Sequence, residues 1–364
     1  VTVPSVLLVA KGLDIGGLER VVVDLARGLA ARGAVVEVAV VNARRGQLRP
    51  LLDEAGVVVH EVGGDDRIGW RAGLRLARLI ADPRFDIVHV HGPLPAVVAR
   101  LRRRGAPLVV SSHTPWTALH PLTRWAWRLT AHRDAAEICV SASVAASLPG
   151  RIGRRTRVIP HGIDPAAIAA ASTRRGLTRS APDAPVRAIT VARHDDVKNY
   201  PNLLRAVRVA LDQGADLSLL IVGTGPRLRE HRALAKALGL TEVVTFLEPR
   251  LDVLDVIASG DLLVVASDYE GQPLVVQEAL ALGLAVVGTA VGRIPELVSA
   301  KVGRVVMPRD PTALGMAIAE LARDDALRAA LAANARHEGH AWTMDDVIDA
   351  HLSLYGDVID STGS

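Results

Sequence analysis

Short runs of Val, Ile and Leu alternate along the chain with longer segments in which apolar residues recur every three or four positions. In the first half, PSVLLVA, AVVEVAVV, FDIVHVH, PLVVSSH, AEICVSAS and RVIPHG read as strands; in the second, RAITVA, LSLLIVG, VVTFLE, DLLVVAS, AVVGTA and GRVVMP do. Their centres are unbroken apolar runs, the pattern of strands covered on both faces. Amphipathic stretches such as LERVVVDLARGLAARG separate them. Six strands twice over, alternating with helices, predict an α/β chain of two Rossmann-like doubly wound domains with parallel sheets.

Residues 1–165 are expected to form the first domain and residues 186–340 the second. The stretch DPAAIAAASTRRGLTRSAPDAP between them lacks a strand pattern, so residues 166–185 are expected to be a linker. Residues 341–364 form one amphipathic helix and a polar tail. Two such domains would face each other across a cleft, with ligands outside the carboxyl ends of the strands.

Composition narrows the class. Of 364 residues, 49% are hydrophobic and 23% charged, which excludes a disordered chain. No apolar run reaches the length of a spanning helix. The opening VTVPSVLLVAKG has no basic leader and is expected to be a first strand. A single cysteine, Cys139, suits a reducing, cytoplasmic setting. Charge is uneven: residues 1–165 hold 23 Lys and Arg against 14 Asp and Glu, and the remainder holds 20 against 25. The clusters ARLRRRG (99–105) and RIGRRTR (151–157) carry much of that excess. A basic half suits an anionic partner, or is the solvated surface of an arginine-rich chain.

The candidate chemistry lies just after strands. Gly16 and Gly17 separate the first strand from the first helix, where backbone N–H groups can approach an anion, although such a pair taken alone is more often only a turn. His91 and His113 end two strands and suit polar substrate contacts. Arg193 and Lys198 share a strand-to-helix loop, suiting a phosphate clamp or an ion pair with Asp195 or Asp196. Lysine is scarce, with four against 39 arginines. In SDYEGQPLVVQEALALG (267–283), Pro273 fits a first helical position, and Glu278 follows in an otherwise apolar helix expected to be buried. Glu270 precedes that helix, and the N–H groups of Gly271, Gln272, Leu274 and Val275 lie between the two carboxylates. Hydroxyls on each glutamate and phosphates between them outline a sugar–diphosphate–nucleoside.

These motifs resemble the retaining glycosyltransferases of the GT-B fold, family 4 in particular, over nearly the whole chain. Glu270 and Glu278 match the E-x7-E element followed by ALALG. GGLER resembles the family's N-terminal glycine loop, ARHDDVKN its donor clamp, VIPHGID its interdomain segment, VGTGP its V-G-x-G-P turn and GRIPELV its G-x-x-E-L-V segment. The helix after Trp342 resembles the one that crosses back onto the first domain. The resemblance implies that Glu278 binds ribose and Glu270 a hydroxyl of the donor sugar. Arg193 and Lys198 would hold the diphosphate, completed by backbone near Gly271, Gln272, Pro273, Leu274 and Val275. Arg250 and Leu251 would lie by the base, Gly223 in the donor turn, and Gly16 and Gly17 near the sugar phosphate or acceptor. His113 resembles the family's cleft histidine. Ala192 stands where the family usually has Gly and His161 where it often has Asn; Gln272 stands where it often has Phe, which leaves the sugar open.

The resemblance implies transfer from a nucleotide sugar to an acceptor hydroxyl, lipid-linked or otherwise, without a metal or other cofactor and without nucleic acid. A glycosidase would need its two carboxylates about 5–5.5 Å apart across the bond, unlike one before a helix and one in its second turn. A phosphorylase or isomerase of the same fold, or a nucleotide-sugar-binding protein without turnover, are the alternatives. For the acceptor, Trp116, Trp125 and Trp127 interleave with Arg124, Arg128 and Arg133. This suits an acceptor mouth, with Trp116 and His91 on it, and a peripheral contact with an anionic membrane, or a plain helix packing one tryptophan inward.

Overall fold

The structure, a computed structural model, describes residues 3–42, 46–64, 69–101, 105–150, 156–178, 184–338 and 342–362. The chain divides into two compact units, Val1–Gly162 with Met344–Ser364, and Ile163–Thr343.

The first unit holds seven parallel strands: β1 (Ser5–Ala10), β2 (Val35–Val40), β3 (Val58–Glu61), β4 (Ile87–His91), β5 (Leu108–Ser112), β6 (Ala136–Cys139) and β7 (Thr156–Val158). Their order is β3-β2-β1-β4-β5-β6-β7. Strand β1 pairs on one side with β2 (Val9 with Ala39) and on the other with β4 (Val9 with Val90), so the winding reverses between β1 and β4. Val6 to Ala10 are fully buried because helices cover both faces.

The second unit holds six parallel strands: β8 (Val186–Val191), β9 (Leu217–Val222), β10 (Val244–Leu247), β11 (Leu262–Val265), β12 (Ala285–Thr289) and β13 (Gly303–Val306). Their order, β10-β9-β8-β11-β12-β13, reverses between β8 and β11. Successive residues of β11 serve opposite faces: Leu262 and Val264 join one core, Leu263 and Val265 the other. That explains the continuous apolar runs.

Two expectations need correction. The first sheet has a seventh strand, β3, whose VVHE is an edge segment and half exposed, so it lacks a buried strand's apolar run. The segment expected as a linker is, over Pro165–Thr178, a helix of the second unit. It buries Ile168 and Ala171 in that unit's core and needs few large apolar residues to do so. Residues 179–183 lie outside the described residues.

The last helix, Met344–Thr362, belongs to the first unit and packs on helix Gly17–Ala31. A Cβ on Gly28 would sit 2.5 Å from Ile348 Cδ1, so glycine lets the two helices close. Arg32 pairs with Asp345 and Asp349, and Arg157 with Asp357.

Candidate donor site

The second unit gathers its charged loops at the carboxyl ends of β8 and β11, the switch point of the sheet. After β8 the chain turns through Asp196–Lys198, with the Asp195 carboxylate accepting from the Lys198 N–H. Asn199 then takes a left-handed conformation (φ 45°) and caps helix Tyr200–Asp212, accepting from Asn202 N–H at 3.1 Å. Asparagine suits both jobs. Its amide also donates to Asp268 Oδ1 at 2.6 Å, and Asp268 N–H donates to the Val197 carbonyl at 2.8 Å. Arg309 holds the other Asp268 oxygen at 2.8 Å. The β8 and β11 loops are thereby bound to each other.

Within this frame Lys198 Nζ donates to Glu270 Oε1 at 2.7 Å, and Ser267 Oγ donates to the same oxygen at 2.7 Å. Glu270 is only 9% exposed, so its charge is compensated in place. Arg193 takes the surface partner expected of the loop, Asp195, through Nε at 3.2 Å, and stays exposed. His194, its neighbour, points inward, stacked on Tyr200 at 4.1 Å with Nδ1 2.9 Å from His231 Nδ1. Burial pushes His194 down to about 4, so it packs as a neutral ring.

Helix Leu274–Ala281 begins one residue later than expected, with Pro273 as its N-cap. Pro273 supplies no side-chain cap to the first turn. The N–H groups of Leu274 and Val275 are therefore among the four that a helix start leaves open. Leu282 closes the helix and Gly283 (φ 73°) reverses the chain, which gives the ALALG glycine a structural reason. Glu278 is half-buried, not buried as expected. The apolar surroundings hold on the core side, where Val276, Ala279 and Leu280 lie, but the sector with Leu274, Val275 and Glu278 is only partly covered. Gly271, Gln272 and Pro273 are buried.

Glycine is forced where this loop meets its neighbours. At Gly292 (φ 53°) a Cβ would lie 2.1 Å from the Glu270 carbonyl oxygen, and at Gly223 one would lie 2.0 Å from that of Ala192. Gly292→Ala is therefore expected to destabilise the protein by about 1–3 kcal/mol and to displace Glu270. Thermal melting would register the first effect, and loss of the Lys198–Glu270 contact in a structure of the variant the second. Arg250 forms a two-pronged pair with Asp252, and Leu251 is exposed beside it.

In the first unit, Gly16 and Gly17 open helix Gly17–Ala31 after β1, and His91 ends β4. They thus flank that sheet's own switch point. A Cβ on Gly17 would meet nothing within 4 Å, so the fold itself does not demand glycine there. His91 Nδ1 is 3.2 Å from His113 Nε2, and the His91 ring lies tilted against that of His89, centroids 4.2 Å apart. His89 lies between Ser111 Oγ (2.8 Å) and Tyr355 Oη (2.7 Å). His351 donates Nδ1–H to the Val347 carbonyl at 2.7 Å. The last helix thus supports the histidines from below. Trp116, expected at an acceptor mouth, is instead a core residue of this unit, as is Trp127; only Trp125 of the three is exposed.

Burial lowers His89, His91, His113 and His351, the last two to about 4, because a charged ring would be desolvated. Their ordinary value is 6.5, so unfolding takes up protons as pH falls from there, and stability present above it is lost toward 4. Glu137, pushed up to about 7 by burial, works oppositely, its cost growing as pH rises from 4.5 to 7. With these four histidines, and His194 and His231 of the second unit lowered likewise, against one carboxyl, the melting temperature is expected to fall between about pH 7 and pH 5, and His351→Gln should flatten that fall.

Of the basic clusters, residues 102–104 and 151–155 lie outside the described residues. Arg100 is wholly buried against Asp134. Sequence alone missed Ser267, Asp268, Asn199 and Arg309. Asn199 had a signal, an N-cap type just before Tyr200-Pro201.

Residues 15–167 match Glycosyltransferase Family 4 and residues 179–338 match Glycosyl transferases group 1. The D-inositol 3-phosphate glycosyltransferase of Actinosynnema mirum is 30% identical over 95% of this chain and 93% of its own length. The N-acetyl-alpha-D-glucosaminyl L-malate synthase of Bacillus anthracis is 27% identical over 47% of this chain and 45% of its own. Among solved structures, Anabaena Alr3699/HepE in complex with UDP-glucose superposes with a TM-score of 0.79 at 20% identity, covering 99% of each chain. Sucrose-phosphate synthase from Thermosynechococcus elongatus gives 0.81 at 21% identity, over 98% of this chain and 100% of that one. These two establish a shared fold, the GT-B arrangement expected from the motifs.

Proposed function

Because this chain belongs to glycosyltransferase family 4, we propose that it transfers a sugar, with retention of configuration, from a nucleoside-diphosphate donor held by the second unit to an acceptor hydroxyl. The observation that carries the donor assignment is the Lys198–Glu270 pair at the β8–β11 switch point, beside an uncapped helix N-terminus. Lys198, Arg193 and the first-turn N–H groups of Leu274 and Val275 take the diphosphate. They stabilise its charge as the bond from the anomeric carbon to phosphate oxygen breaks. The acceptor oxygen bonds to that carbon on the same face, and its proton passes to the departing phosphate. Glu270 accepts from a sugar hydroxyl and Glu278 from the ribose, and the base lies by Arg250 and Leu251. Fixed cations and N–H dipoles supply the leaving-group stabilisation, so no metal is required, and a chelator should leave the rate unchanged.

For the acceptor we propose the first unit's switch point, where the buried His91 Nε2 and His113 Nδ1 have no partner among the described residues and Gly17 leaves open space. The inositol-phosphate transferases that resemble the chain over most of its length favour a phosphorylated polyol as the first acceptor to try, ahead of a lipid-linked glycan. The test is a screen of UDP-, GDP-, ADP- and dTDP-sugars for nucleoside diphosphate release, with the anomer of the product read by NMR. One donor should be consumed with its anomeric configuration kept. An inverted product, or a trapped glycosyl-enzyme ester, would overturn the retaining mechanism, and no release with any donor and acceptor would overturn turnover itself.

A further inference from the structure

Three neighbouring helices of the first unit, Trp70–Ile80, Pro93–Arg100 and Pro121–Thr130, pack on one face of its sheet. Leu76 and Ile80, Ala96 and Ala99, and Trp127 all enter the same core with Val88 and Val110. The opposite sides of these helices therefore point away from the sheet together. Those outer sides are apolar where a solvated surface would be polar. Helix Trp70–Ile80 exposes Trp70 (71%) and Leu74, one turn apart. Leu94 and Leu101, seven residues apart on one stripe, are exposed along the second helix and its end. The third exposes Leu122, Trp125 (65%) and Leu129. Seven of the 15 large apolar side chains exposed among the described residues lie on these short helices, so this is a patch and not scatter.

The charge on the same helices has one sign. None of the three contains Asp or Glu. Arg71, Arg75 and Arg78 form a stripe beside Trp70 and Leu74, and Arg124 and Arg128 one beside Trp125 and Leu129. None of these five makes an ion pair among the described residues, although many other arginines do, such as Arg208 with Asp212 and Arg304 with Glu320. Among the described residues no helix is long and apolar enough to cross a membrane.

We infer that this three-helix face of the first unit seats the protein on an anionic lipid bilayer, with Trp70, Trp125 and the leucines entering the interface and the unpaired arginines meeting lipid phosphates. Exposed tryptophan and leucine beside unpaired arginine and no acid is the chemistry that recognises such a surface. The inference stands apart from the donor assignment, since it uses no residue of that site.

The experiment is co-sedimentation of the full chain with vesicles of phosphatidylglycerol or of phosphatidylcholine, at low and high salt, with tryptophan emission recorded. Binding to phosphatidylglycerol at low salt, with a blue shift and release at high salt, is expected. Trp70→Ser with Trp125→Ser, and separately Arg75→Glu with Arg78→Glu, should each weaken that binding about tenfold or more. Both double variants should keep the wild-type melting temperature and the wild-type rate on a water-soluble acceptor. No binding to phosphatidylglycerol, equal binding to phosphatidylcholine, or unchanged binding by both variants would overturn the inference. So would a dimer in sedimentation velocity that the tryptophan substitutions dissociate, because the face would then be covered by a second copy.

Discussion

Lys198→Ala is expected to lower kcat about 100- to 1,000-fold, the usual loss when one preorganised stabiliser of developing charge is removed. Lysine is scarce in this chain, and this one is positioned by Asp195 at its own N–H, by Asn199 immediately after it, and by Glu270 at its ammonium. Its partner makes a second, different variant informative. Glu270→Gln removes the carboxylate but leaves Lys198 in place for phosphate, so the loss should fall on sugar recognition, seen as slower transfer with little change in affinity for the free nucleoside diphosphate. If Lys198→Ala transfers sugar as fast as the wild type, the lysine is only a structural partner of Glu270.

Asp134→Ala is expected to destabilise the first unit by about 3–5 kcal/mol, a large share of a typical domain's stability. Arg100 is 1% exposed, its Nε 2.8 Å from Asp134 Oδ1 and its guanidinium 4.0 Å from the Trp127 ring. Removing the carboxylate leaves a desolvated cation in a core that cannot hydrate it. Replacing both partners with apolar residues of similar volume should cost much less, since no charge is then stranded. Urea denaturation of the single and double variants would separate the two cases. A single variant as stable as the wild type would mean that the guanidinium reaches water.

Much of this was legible before the fold was known. The four inner strands of the second unit, β8, β9, β11 and β12, send side chains into the cores on both faces, and an apolar run of that kind is a strong signal. Strand β3 was lost because an edge strand keeps one side wet, as His60 and Glu61 show. Helix Pro165–Thr178 was taken for linker because its short alanines reach the core with little hydrophobic signature. Counting tryptophans could not orient them: Trp125 and Trp127 stand two apart on one helix, about 200° around it, and so point in opposite directions. The places of Arg193, Lys198 and Glu270 just after strands were readable from the sequence. That Lys198 reaches Glu270 was not, because 72 residues separate them and only the order of β8 and β11 brings them together.

The proposed donor site is tested most directly by calorimetric titration of the nucleoside diphosphate released in the donor screen, without sugar or acceptor. One site is expected on the wild type, weakened about tenfold or more by Glu278→Gln and by Lys198→Ala, as loss of a charge-assisted contact implies, and unchanged by Glu270→Gln. Equal affinity in the wild type, Glu278→Gln and Lys198→Ala would contradict a donor cradle at the β8–β11 switch point.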